Sequence, residues 1–87
     1  MCKEVIEKKF HKLQVIIEDR YPSVAIALCE LLGRRWSFIS GVPDRIACPF
    51  MGRVKISDRY GVSVFDSTPD RKRYEQLTNF IKEFFKI

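Results

Sequence analysis

Nine basic side chains are the residues of this chain best suited to chemistry with a ligand. Arg34, Arg35, Arg45, Arg53, Lys55 and Arg59 lie in its middle third, and Arg71, Lys72 and Arg73 form a run near the start of the last apolar segment. The 87 residues carry 16 Lys and Arg against 11 Asp and Glu, a net charge of +5. Residues 34–61 alone hold +4 of that excess, and all but one of their cations are arginines. Arginine's planar fork fits phosphate oxygens better than a lysine point charge does. A polyanion is the partner such a set suits, with RNA or another nucleic acid first, ahead of an acidic protein or a membrane surface. The run at Arg71 to Arg73 falls in the first turn of an expected helix, where cations oppose the helix dipole. Cations beside free helix-start amides suit a phosphate. Alternatively the run is a solvated patch balanced by Asp66, Asp70 and Glu75.

Other chemistries find little support. The single histidine, His11, lies off the apolar stripe of its helix, and no nucleophile stands near it in sequence. A Ser-His-Asp or Cys-His arrangement needs that base beside its nucleophile. Structural zinc takes four Cys or His ligands, usually in close pairs, and Cys2, Cys29, Cys48 and His11 supply no such pair. Neither a metal nor a cofactor is therefore expected. Cys29 reads as a small buried apolar residue, whereas Cys48 would react only if exposed in an electropositive loop. The four glycines stand singly, so a phosphate-cradling loop is not expected. Glu30 precedes Arg34 by four residues, the spacing of a helix-end ion pair.

These residues need a scaffold, and 87 residues give room for a single small domain, 1–87. Residues 3–19 form an amphipathic helix with Val5, Ile6, Phe10, Leu13, Ile16 and Ile17 along one face. Pro22 opens a second helix that runs to Leu32, apolar almost all round, with Gly33 as its stop. The period then shortens to two. Arg35–Ser40 is a strand, Gly41-Val42-Pro43-Asp44 a turn, and residues 45–50 are ambiguous because Pro49 cannot join a ladder. Met51–Ser57 and Val62–Asp66 form a hairpin about a turn at Asp58-Arg59-Tyr60-Gly61. Ser67-Thr68-Pro69-Asp70 starts a last helix.

The expected architecture is α+β, ordered α-α-β-β-β-α, a three-stranded antiparallel sheet with the helices on one face. In the hairpin, Ser57 opposite Val62 puts Val54 against Phe65 and Ile56 against Ser63 on the core side. Arg53, Lys55, Val64 and Asp66 then share the outer side. That outer side lacks a row of aromatics, so duplex RNA read by shape and phosphate fits better than stacked single strands.

From Pro22 to Ile87 the order α-β-β-β-α is similar to that of the double-stranded-RNA-binding domain. In that family the loop between the first two strands and a basic cluster opening the last helix touch RNA. Gly41-Val42-Pro43-Asp44-Arg45 and Arg71-Lys72-Arg73 occupy comparable places. The likeness is one of order: the family's loop histidine is missing, and Tyr74, Phe80, Phe84 and Phe85 replace an alanine-rich helix.

A non-enzymatic binding module with a basic sheet and turn surface is the reading these observations favour. The alternative is a protein-interaction or oligomerisation module, in which Phe80, Phe84 and Phe85 crowd the last helix and a homodimer covers them. A small enzyme is a distant third. The odd number of cysteines, the absence of an apolar leader stretch at the N-terminus and the lack of a membrane-length apolar run point to a reduced, cytoplasmic setting.

Overall fold

The computed structural model describes residues 3–41 and 49–86. Helix α1 (Lys3–Arg20) is followed by strands β1 (Val24–Leu32), β2 (Arg35–Gly41), β3 (Phe50–Lys55) and β4 (Tyr60–Asp66), then helix α2 (Arg71–Phe84). The strands form one antiparallel sheet in the order β2-β1-β4-β3. The α+β class and the overall order agree with the sequence, but the sheet has four strands rather than three.

The added strand is the segment expected to be a second helix. A nearly unbroken apolar run carries no period, so it fits a strand buried on both faces as well as a buried helix. Its neighbours decide the matter. Only Gly33 and Arg34 separate Leu32 from its partner Arg35. Gly33 has φ +66°, while no described non-glycine residue has positive φ. Gly at the first of two central positions is the type II′ hairpin arrangement, which matches strand twist. The glycine read as a helix stop is therefore a hairpin turn. Further along, β1 pairs with β4 from Val24–Asp66 to Glu30–Tyr60, so it is a central strand with ladders on both sides. With this segment extended, the α-β-β-β-α order shared with the double-stranded-RNA-binding domain is lost.

The β3–β4 hairpin also differs from expectation. Val54 pairs with Val62, Arg53 with Ser63 and Lys55 with Gly61. The Ser57 hydroxyl accepts from the amides of Arg59 and Tyr60, which closes the turn early and leaves Gly61 inside the strand. The ladder thus slips by three residues. An odd slip turns one strand over relative to the other. β3 keeps its expected facing, with Val54 inward and Arg53 and Lys55 outward. β4 is reversed: Val62, Val64 and Asp66 turn inward and Ser63 and Phe65 outward.

Both helices lie on the inward side. Ile6, Phe10, Leu13 and Ile17 of α1 and Leu77 and Ile81 of α2, with Phe85, pack on Val24, Ile26, Leu28, Val54, Tyr60, Val62 and Val64. The i, i+3, i+4 spacing of the helical residues and the i, i+2 spacing of the strand residues are the two periods that meet in this layer. Val5 lies at the edge of its stripe and is exposed.

Asp66 ties the two layers at the start of α2. It is 1% exposed and accepts from an Arg73 guanidinium nitrogen at 2.8 Å and from the Thr68 amide at 2.9 Å. Burial pushes its carboxyl up, but the Arg73 and Thr68 hydrogen bonds outweigh this and hold it below the ordinary carboxylate range. No helix among the described residues is long and apolar enough to cross a membrane.

Candidate binding surface on the helix-free sheet face

Among the described residues, no helix packs on the sheet's second face. Alternation brings Ala25, Ala27, Cys29 and Leu31 of β1 and Gly61, Ser63 and Phe65 of β4 to it. Because paired residues share a face, Trp36 and Phe38 come with Leu31 and Cys29, and Arg53 and Lys55 with Ser63 and Gly61. Phe50 pairs with Phe65, and their rings meet edge to face at 5.6 Å. The middle of this face is thus floored by small residues, with larger side chains around them.

Gly61 and Arg53 organise the centre. A Cβ on Gly61 would lie 3.1 Å from the Trp36 ring and 3.2 Å from Arg53 Cγ. Gly61 is not in the left-handed region, so its value here is room rather than backbone freedom. Trp36 reaches in from β2 and Arg53 from β3, and they meet above it. The Arg53 guanidinium carbon stands 4.8 Å from the Trp36 ring centroid and 5.5 Å from that of Phe50. Both distances are within cation–π range. Its Nε donates to Ser63 Oγ at 3.2 Å, and that oxygen also contacts Cys29 Sγ at 3.3 Å.

This face combines cations with accessible aromatic surface. Phe38 is 52% exposed and Phe50 53%. Of the described strand residues on it, Arg53 and Lys55 are the charged ones, and none is acidic. The absence of an aromatic row expected from the sequence is therefore corrected: Trp36, Phe38, Phe50 and Phe65 all belong here. Phe65 was hidden by the hairpin slip and Phe50 by the neighbouring Pro49. The signal that could have found them was the aromatic content of each strand taken without a fixed register.

The described basic residues do not converge on one site. Leu31 donates to the Arg59 carbonyl, so the β1–β2 and β3–β4 turns share one end of the sheet. Arg34, Arg35 and Arg59 are exposed there. Arg59 lies 3.8 Å from Glu30, which takes the place of the expected Glu30–Arg34 pair. Ser67 donates to the Ser23 carbonyl, so α2 begins at the opposite end, roughly 25–30 Å away along β1. The cluster there is not an open anion site. Asp70 caps the helix by accepting from the Lys72 and Arg73 amides, and Arg73 is engaged with Asp66 and the Thr68 carbonyl. Arg71 and Lys72 remain exposed. Arg45 and Cys48 lie outside the described residues.

The aromatics of α2 are largely used inside the protein. Phe85 is buried, Phe80 and Phe84 are half-buried against the core, and Arg20 lies 5.7 Å from the Phe80 ring centroid. Cys29 is buried, as the sequence suggested, but on a strand. Among the described residues, no group of three His, Cys, Asp or Glu side chains is placed to hold a metal ion. No known family model matches this chain, and no curated protein or solved structure matches it either.

Proposed function

We propose that this protein is a binding module for single-stranded nucleic acid, RNA in particular, held on the helix-free sheet face. The observation that supports this reading is the pairing of two half-exposed phenylalanine rings with Arg53 and Lys55 on a face whose described strand residues include no carboxylate. Every base has a π-face, so exposed aromatic rings hold single strands with little regard to sequence. Cations between the rings meet the phosphates. Phe38 and Phe50 sit at opposite edges of the sheet, three strand spacings apart and four residues apart along β4, which makes roughly 20 Å between them. The expected footprint is on the order of four nucleotides. A duplex buries its base faces in the stack and cannot use these rings, so the single strand is preferred over the duplex reading.

Fluorescence anisotropy with labelled single-stranded and duplex RNA of equal length tests this. The single strand is expected to bind more tightly, and Phe38→Ser with Phe50→Ser to weaken it about tenfold or more. Equal binding of both forms, or indifference to the double substitution, would overturn the reading. Self-association through the same rings predicts concentration-dependent sedimentation without nucleic acid, which the same protein samples can show.

A further inference from the structure

We infer that Arg53 makes this face selective for guanine among the bases of a bound single strand. The inference rests on the binding reading above and names what that surface would prefer. Arg53 is exposed, yet it is not a free-swinging cation. Trp36 and Phe50 stand within cation–π range of it, and Ser63 Oγ fixes its Nε. These contacts restrain the guanidinium. Among the described residues they occupy one of its five N–H groups and leave the N–H groups of the two terminal nitrogens. Among the described residues no carboxylate lies within ion-pair distance of Arg53; the described pairs belong to Arg59 and Arg73.

A fixed fork of parallel donors recognises two adjacent acceptors in one plane. Guanine offers O6 and N7 in that arrangement. Adenine puts an amino donor beside N7, and the pyrimidines lack the pair. Arg53 also sits, by its pairing with Ser63, at a level of the sheet between Phe38 and Phe50. A base that follows one stacked on either ring thus arrives with its edge near the fork. A phosphate would accept the same fork, but it would do so equally for every sequence.

Sequence dependence therefore separates the two. Seven-nucleotide oligo(U) and oligo(A), each with or without one central guanine, are titrated against the wild-type chain, Arg53→Lys and Ser63→Ala. Wild type should bind the guanine-containing strands about tenfold more tightly than their parents. Arg53→Lys keeps the charge and loses the fork, so it should bind all four strands alike while retaining the salt dependence. Ser63→Ala frees Nε and should reduce the preference without removing binding. Equal wild-type affinity for all four strands would overturn the guanine assignment while leaving the binding reading intact. No binding of any strand at low salt would overturn both. Guanine preference that survives Arg53→Lys in a folded variant would assign it to another residue.

Discussion

The two faces of this sheet are built from the same four strands and differ in what alternation sends to each. The helix side receives Val24, Ile26, Leu28, Val54, Val62 and Val64, branched residues that interlock with two helical stripes. The other side receives alanine, cysteine, glycine and serine in the middle, with aromatics and cations toward its edges. Small residues at the centre of a sheet face contribute little to a core, because little apolar area is buried by each. They leave a floor on which Trp36 and Arg53 can lie across the strands. One face holds the domain together, and the other carries the rings and cations on which the proposed binding rests.

The comparison breaks most completely at Val54 or Val62, 2% and 0% exposed on the helix side. Val54→Asp should abolish cooperative thermal unfolding, because an unpaired charge would be buried in a thin core. Calorimetry that still shows a sharp transition would contradict the assigned facing of β3. A smaller loss is expected at the link between the layers. Asp66→Ala removes the partner of Arg73 and of the Thr68 amide, and should lower Tm by on the order of 10 °C. The same carboxylate sets an acid limit. Its folded pKa lies below its unfolded value of 3.8, so its contribution is fully present above pH ~4 and is lost as pH falls through the folded value. Wild type should lose stability on acidification below pH ~4, and Asp66→Asn should flatten that part of the profile.

On the helix-free face the stability effects should be smaller and the binding effects larger. Arg53→Ala with Lys55→Ala should keep Tm within about 5 °C, since both side chains are exposed. It should weaken single-strand binding and lower the slope of log affinity against log salt by at most about 1.4. Arg59→Ala sharpens the comparison from the other side. Its pair with Glu30 is long and mostly exposed, so thermal melts should move by no more than about 0.5 kcal/mol equivalent.

What could be read in the sequence followed from period. The stripes of α1 and α2 repeat at three and four residues, and the outward facing of Arg53 and Lys55 about Val54 follows from a period of two. The start of α2 near Ser-Thr-Pro-Asp was readable too, but its cap is the Asp70 carboxylate rather than a Ser67 or Thr68 hydroxyl, so Pro69 lies before the helix and Asp70 is not in its first turn. β1 was not, because residues apolar at nearly every position fit a strand and a helix equally until a pairing partner is known. The facing of β4 was not, because it hangs on where a turn closes, and one serine hydroxyl moved that by three residues. That single slip concealed Asp66 as a buried link and Phe65 as an outward ring. The nine basic positions were readable as residues, but the placing of Arg34, Arg35 and Arg59 at one end of the sheet and of Arg71, Lys72 and Arg73 at the other is a property of strand order.

Trp36 offers the most direct test of the central claim, because it is the sole tryptophan of the chain and lies on the helix-free face against Arg53. Its emission is followed while single-stranded RNA is added at about 50 and about 200 mM salt. The account predicts a saturable change in Trp36 emission with a midpoint that weakens steeply at the higher salt. Arg71→Ala with Lys72→Ala, at the far end of the helical layer, should leave that change in place. RNA binding that leaves Trp36 emission untouched, or that vanishes with Arg71 and Lys72, would contradict it.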